Sequence, residues 1–173
     1  MSLGLSVPLH VFRFQVDSVT EDVNSGSASS PVVGWSAAFA ECTGLEATME
    51  PKAIKEGGMN YGVAQRAGQT SFATVVLKRG ICKSASLGPS SLWQVFNGLA
   101  TGLYAPRMRV TINVFDIDGS AAIAWQLDRA MPVKFKFADL NARGGGEVGI
   151  EELHLVHEGL SATAPVPLKI AKS

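Results

Sequence analysis

The segment from Asp139 to Leu160, which reads DLNARGGGEVGIEELHLVHEGL, constrains the fold more than any other part of the sequence. Its three consecutive glycines, Gly144 to Gly146, offer no side chains to a core but accept positive φ angles, so they predict a turn. A long strand is expected after this turn. We expect that strand to close a small β-barrel or sandwich.

The apolar residues of this strand change parity along its length. Val148 and Ile150 share one face, whereas Leu153 and Leu155 have the opposite parity. A β-bulge near residues 151–152 would produce such a shift. Because Ile150 is expected to lie in the core, an aspartate at that position would abolish folding.

The composition is that of one ordinary domain. A chain of 173 residues with 46% hydrophobic residues can bury a core without staples, so residues 1–173 are expected to form a single domain. The formal net charge is zero, which argues against charge-driven binding of nucleic acid. No signal peptide or membrane-spanning stretch is indicated, so we expect cytosolic synthesis and no membrane insertion.

Alternating apolar residues predict a series of strands. The predicted strands are Val11–Val16, Val32–Glu41, Thr70–Arg79, Met108–Val114, Ala121–Leu127 and Val133–Phe137. A turn at Asp116–Gly119 joins two of them as a hairpin. The polar stretch of about 18–31 predicts a flexible loop, and the tail beyond Leu160 is expected to be extended or frayed.

One helix is predicted, over about residues 90–101. Its apolar stripe consists of Leu92, Val95, Phe96 and Leu99. Ser91 and Gln94 have the spacing of a capping box. With about seven or eight strands and no βαβ pattern, the sequence predicts a mainly β fold: an antiparallel β-barrel or sandwich with one flanking α-helix.

The stretch of about 47–69 is polar and rich in glycine, and it predicts a protruding β-hairpin arm. It contains few large apolar side chains, so it would be marginally stable alone and would not lie in its own core. Composition leaves two interpretations open, a disordered loop or an interaction element.

The residue types that carry chemistry do not form a convincing constellation. His154 and His157 are three residues apart in a predicted strand and should point to opposite faces, unlike a helical H-E-x-x-H pair. Glu151 and Glu152 are adjacent and should also face apart as structural residues. The two cysteines, at positions 42 and 82, are interpreted as small buried hydrophobes, with a disulfide or a metal pair as lesser alternatives. We expect no enzymatic activity, no cofactor and no metal.

Several short segments occur in the order seen in tail tube proteins. They are GLE (44–46), EGGMN (56–60), VVLKRGI (75–81), LW (92–93), the D-x-D-G turn (116–119), AMPVKF (130–135), DLNA (139–142) and EVGIEELHLVHEGL (147–160). In this combination the chain resembles the contractile phage tail tube protein family. It is most like the inner tube proteins of extracellular contractile injection systems, the phage-tail-like particles.

The resemblance implies an assembly. Family members form hexameric rings whose sheets join edge to edge around a channel, and the rings stack into a rigid tube. The implied partners are further copies of the chain, a surrounding sheath, baseplate or spike proteins, terminal cap proteins, and a cargo of effector protein or DNA. The implied place of assembly is the bacterial cytoplasm, within a particle that is extracellular, cytoplasmic or a virion. The alternatives are a tube-initiating or tip-proximal ring paralogue and a ring-forming cargo adaptor of the type VI secretion tube type.

The resemblance also points to particular residues. The arm is expected to dock on an adjacent subunit or ring through its tip, which consists of Glu56, Gly57, Gly58, Met59 and Asn60. The motif residues expected to have structural roles are Leu77, Lys78, Arg79, Gly80, Leu140, Asn141, Glu151, Leu153, His157, Glu158 and Gly159. No catalytic, cofactor-binding or metal-binding residue is implied.

Overall fold

The computed structural model of the protein describes residues 9, 13–21, 35–55, 57–58, 61–81, 92–101, 107–141, 146 and 148–164. These ranges contain twelve strands and one helix: β1 (Phe14–Glu21), β2 (Ser36–Ala38), β3 (Glu41–Thr43), β4 (Ala47–Met49), β5 (Lys52–Ile54), β6 (Ala64–Arg66), β7 (Thr70–Phe72), β8 (Val75–Gly80), α1 (Leu92–Thr101), β9 (Arg107–Phe115), β10 (Ala121–Lys136), β11 (Ile150–Val156) and β12 (Gly159–Thr163). The predicted mainly β, antiparallel fold with one helix is confirmed.

Eight strands form a sheet that closes on itself. Its order is β2-β1-β9-β10-β11-β8-β3, and β12 pairs with β10. The strands at the two ends of this order, β2 and β3, are separated in sequence only by Phe39 and Ala40. The segment from Trp35 to Thr43 therefore pairs with β1 at its start and with β8 at its end. This segment closes the barrel, whereas residues 139–160 contribute β11 to the middle of the sheet.

The strand β10 is irregular at three positions, the first of which is a register shift against β9 between Ala121 and Ile123. Its register against β9 shifts between Leu127 and Ala130, where Arg129 has a φ of 51°. Its register against β11 shifts between Pro132 and Lys134. These bends let the first half of β10 pair with β9 and β12 and the second half with β11. The prediction of two separate strands in this region is therefore wrong.

The strand β11 is regular, so the bulge predicted near residues 151–152 is wrong. Residues 150–155 pair with residues 80–75 of β8 without a shift. The parity changes because Val148 and Ile150 point away from the core, where they are 73% and 51% exposed. Leu153 and Leu155 are fully buried. The expectation that Ile150 lies in the core is also wrong.

Three other boundaries differ from the prediction. β1 continues to Glu21, because the buried Ser18 side chain accepts a hydrogen bond from the Trp35 backbone N–H at 3.2 Å and so satisfies its polar group within the sheet. The predicted strand 70–79 is divided into β7 and β8. The tail continues past Leu160 as β12, which pairs with β10. Residues 22–31 of the predicted loop and residues 11–12 of the first predicted strand lie outside the described residues.

The core lies inside the closed sheet, and α1 covers one part of it. Leu92 and Val95 of α1 pack into the same buried cluster as residues from β1, β8, β9, β10 and β11. Each fully buried leucine contributes about 1.5–3 kcal/mol to stability relative to an exposed one. Trp93 is 39% exposed and packs against Phe135 and Phe137 at ring-centroid distances of 5.8 and 5.1 Å. The helix thus faces the sheet as predicted.

Candidate assembly interface

A long hairpin extends from β3 and β8 and forms the arm (residues 47–72). β4 pairs with β7, and farther from the barrel β5 pairs with β6. The register continues from β3 and β8 through β4 and β7 and then shifts by one residue between Met49 and Lys52. At this shift Gly68 lies against the Glu50 carbonyl so closely that a Cβ would not fit. The predicted protruding hairpin is confirmed, and its pairing extends to Phe72.

The tip of the arm is exposed where the structure describes it. Gly58 has a φ of 90°, and nothing lies within 4 Å of the position that a Cβ would occupy at Gly57 or Gly58. Tyr61 beside them is fully exposed. Glu56, Met59 and Asn60 of the predicted tip lie outside the described residues. The docking role of the tip remains a prediction.

The root of the arm is held to the barrel by a buried histidine. The Phe72 ring lies 5.1 Å from the His157 ring, centroid to centroid. His157 is 8% exposed, and its Nδ1 lies 2.9 Å from the Gly159 carbonyl oxygen. Because a carbonyl only accepts, Nδ1 carries the proton in this contact. His157 therefore contacts the arm root, whereas His154 lies on the other face of β11, as the sequence predicted.

The distal arm places two positive charges opposite each other. Lys52 and Arg66 are cross-strand partners, and the next pair on the same face is Ile54 with Ala64. Like charges directly opposite in a sheet are destabilising. Lys52 and Arg66 were not among the predicted site residues. The position of one cation on each side of the glycine-containing tip is the signal that could have revealed it.

Besides His157, four of the predicted motif residues are buried in the barrel. Leu77 and Leu153 are fully buried cross-strand partners. Two positions along the same strands, Arg79 and Glu151 form a buried ion pair and are 7% and 4% exposed. A carboxylate and a guanidinium at these positions neutralise each other within the core.

The other motif residues lie at the surface or at strand ends. Lys78 donates to Glu41 at 3.0 Å across β8 and β3. Glu158 lies 2.6 Å from Arg129 and 3.5 Å from Arg107. Gly80, Leu140, Asn141 and Gly159 complete the set, and Leu140 is 94% exposed. The structure therefore divides the motif residues between the core and two separate surfaces.

A groove of about 410 Å³ lies on the outward side of the sheet at the end farthest from the arm. We call it the end groove. The residues that define it here are Glu41, Asp139, Asn141, Val148, Ile150 and Glu152. Lys78 and Lys136 also line it, and a hydrogen bond from Lys136 to Asp139 at 2.9 Å raises the pKa of Lys136. The groove thus combines charged side chains with exposed apolar ones.

Within the described part of the chain, no group of three or more His, Cys, Asp and Glu residues could hold a metal ion. No described helix is both long and apolar enough to span a membrane.

Partial burial of Cys42 is expected to suppress its reactivity. It raises the pKa of this thiol to about 11, so about one thiol in a thousand is a thiolate at pH 8. We expect iodoacetamide to modify Cys42 in the folded protein about a hundredfold more slowly than an exposed cysteine, and faster as the pH rises toward 11. Mass spectrometry of the Cys42 peptide measures the rate, and the urea-unfolded chain is the control. Equal rates in both states would contradict burial of this thiol. Cys82 lies outside the described residues.

Comparison with known protein families identifies the family of this chain. Residues 10–161 match the model of the family described as T4-like virus tail tube protein gp19. The chain belongs to this family. The match covers the barrel, the helix and the arm, so the resemblance seen in the sequence is confirmed. A comparison with curated protein sequences gives no significant match.

Solved structures share the fold of this tail tube protein. A chain of the anti-feeding prophage baseplate, 6-fold symmetrised, is 24% identical with a TM-score of 0.73, and the alignment covers 92% of this chain and 97% of that chain. A chain of the PVC sheath–tube complex in the extended state is 15% identical with a TM-score of 0.68, covering 92% and 94%. A chain of the anti-feeding prophage cap is 15% identical with a TM-score of 0.71, covering 94% and 95%. Together with the family, they support a structural, tube-type role.

Substitution of Ile150 tests whether the end groove is separate from the core of this tail tube protein. Because Ile150 is 51% exposed, we expect Ile150→Asp to change the free energy of unfolding by about 1 kcal/mol or less. Leu153→Asp on the same strand is the control and should prevent folding, because it buries a charge. Urea denaturation followed by circular dichroism measures both. Similar behaviour of the two variants would contradict the outward orientation of Ile150.

Proposed function

We propose that this tail tube protein is a structural subunit of the inner tube of a contractile injection system or phage tail. Hexameric rings of the chain stack into a rigid hollow tube. The observation that carries the proposal is the family match over residues 10–161, which includes both the barrel and the arm. Similar folds in a 6-fold symmetrised baseplate and in a sheath–tube complex support it.

The architecture suits a repeating assembly. The closed sheet gives a stiff unit, because its strands are joined by hydrogen bonds around the core. The arm strands and the outer edge of β12 have backbone groups that no described strand pairs with. Such edges can form backbone hydrogen bonds with a strand of another chain. Head-to-tail contacts that do not close a ring generate a filament, which is the geometry of stacked rings.

The proposed partners follow from this role. A sheath surrounds the tube and drives it through a target envelope by contraction, and baseplate or spike proteins and a terminal cap bound its two ends. The channel conducts an effector protein or DNA. Assembly takes place in the bacterial cytoplasm, and the completed particle is extracellular, cytoplasmic or a virion. The sheath–tube and cap structures that share this fold support the choice of partners.

The purified chain tests this proposal directly. Native mass spectrometry should detect six copies of the 18.2-kDa chain, and negative-stain electron microscopy should show rings and stacked tubes with a central channel. The same measurements are repeated with the sheath and baseplate proteins present. A chain that remains monomeric at every concentration, alone and with these proteins, would refute the tube assignment.

A second candidate is a tube-initiating or terminal ring that does not elongate. Chains with the same fold occur in a baseplate and in a sheath/tube terminator. Electron microscopy distinguishes the two candidates, because an initiating ring remains single at high concentration whereas a tube subunit forms stacks of many rings.

A further inference from the structure

We propose that the end groove receives the distal arm of a second copy of this chain, with the cations of the arm meeting the carboxylates of the groove. This docking rests on the proposed tube function and names the surface that the arm contacts. It assigns specificity to residues outside the predicted tip.

The arm supplies a positively charged surface. Lys52 and Arg66 lie directly opposite each other, and neither forms an ion pair with a described residue. Their mutual repulsion is relieved when carboxylates approach. Ile54 and Ala64 form the next pair on the same face and are half-buried against each other. The distal arm therefore presents two cations followed by a small apolar surface.

The end groove supplies the complementary surface. Three carboxylates line it, from Glu41, Asp139 and Glu152. Lys78 pairs with Glu41 and Lys136 with Asp139, which leaves a surplus of one carboxylate. The Asp139 side chain is 88% exposed. Val148 and Ile150 lie beside these acids, 73% and 51% exposed, although they are large apolar residues. Apolar side chains beside an acidic surplus suit an arm that is basic and apolar at adjacent positions.

The two surfaces lie at opposite ends of the barrel. The arm leaves where β3 ends and β8 begins, whereas the groove lies where β8 ends and β11 begins. In a head-to-tail stack the arm end of one copy faces the groove end of the next. The turn at residues 116–118 is also acidic and holds Ile117, which is 63% exposed. That turn precedes β10 and lies at the end of the barrel from which the arm leaves, so stacking does not bring it to the arm.

Cysteine cross-linking tests the docking. Ala64→Cys combined with Val148→Cys places one thiol on the arm and one in the groove of the full chain. Ala64→Cys combined with Ile117→Cys is the matched control, and the wild-type chain controls for the native cysteines. Under mild oxidation of assembled protein, we expect a ladder of disulfide-linked dimers and higher multimers with Val148→Cys, at least about tenfold stronger than with the control.

Charge reversal provides a second readout. Lys52→Glu with Arg66→Glu should reduce the sedimented tube fraction about tenfold, and adding Asp139→Lys should restore most of it, because opposite charges face each other again. Lys134→Glu is the control, because this exposed lysine is not among the residues that line the groove. Circular dichroism checks that each variant folds. If the cysteine pair fails to assemble, the reversal and its rescue decide the question.

The outcomes separate docking from tube formation. A wild-type chain that forms tubes, but cross-links only through Ile117→Cys or through neither pair and shows no rescue, overturns the docking and leaves the tube intact. A wild-type chain that forms neither rings nor tubes overturns the proposed function, and the docking is then overturned with it. Cross-linking through Val148→Cys together with charge rescue supports both.

Discussion

Replacing Glu151 with alanine is expected to lower the free energy of unfolding by about 3–5 kcal/mol, because it removes the carboxylate that neutralises the buried Arg79. The loss is large compared with the total stability of a typical domain, which is about 5–15 kcal/mol. Glu151 lies on β11, between β8 and β10. Loss of the ion pair there is also expected to loosen the strands that adjoin the arm root.

The neighbouring Glu152 is the matched control for this prediction. It points to the outward face, where its side chain is 24% exposed and lies 3.4 Å from His154. Glu152→Ala should cost about 1 kcal/mol or less, as is usual for ion pairs near the surface. Urea denaturation of both variants, followed by circular dichroism, gives the comparison. Equal losses would show that burial of the Arg79–Glu151 pair is not what makes it important.

A third variant separates charge from packing. Arg79→Met with Glu151→Leu removes both charges while keeping most of the buried volume, and we expect it to be within about 2 kcal/mol of the wild type. A double variant as unstable as Glu151→Ala would mean that the ion pair contributes favourable energy of its own. From most to least stable, the expected order is wild type, the double variant and Glu151→Ala.

Local patterns predicted the strands and the helix because alternation and helical spacing reflect burial of individual residues. The stripe at Leu92 and Val95 does lie in the core, and so does the alternating apolar set of β9. The same reasoning predicted that Ile150 lies in the core, but its side chain is 51% exposed. An apolar side chain indicates contact with something apolar, but sequence does not say whether that surface belongs to the same chain.

The features that the sequence did not reveal depend on contacts between distant segments. The segment from β2 to β3 changes its pairing partner from β1 to β8 at Phe39 and Ala40, and no glycine or proline marks this change. The bends of β10 likewise depend on its several partners. The arm was predictable because polar composition and glycines act locally. The end groove was not, because closure of the barrel brings Glu41 next to Asp139 and Val148.

The junction between the barrel and the arm depends on a glycine, and Gly44→Ala is expected to disrupt it. Gly44 has a φ of 86°, and a Cβ there would collide with the backbone carbonyl of Thr74. A non-glycine residue in this conformation costs about 1–3 kcal/mol before any collision is counted. Because Thr74 contributes backbone and not a flexible side chain, β3 and β8 must move apart. We expect a total loss of about 2–4 kcal/mol in the free energy of unfolding.

Gly58→Ala isolates the contribution of that close approach. Gly58 has a similar φ of 90°, but nothing at the exposed tip lies within 4 Å of the position that a Cβ would occupy. Gly58→Ala should lower the free energy of unfolding by about 1 kcal/mol or less, as measured by urea denaturation, because the tip adds little to the cooperative unfolding of the barrel. Gly44→Ala should also eliminate sedimentable tubes at temperatures where circular dichroism shows a folded barrel, because the arm then leaves the barrel at a different angle. If both variants lose the same stability, the positive φ alone accounts for the effect and Gly44 does not set the direction of the arm.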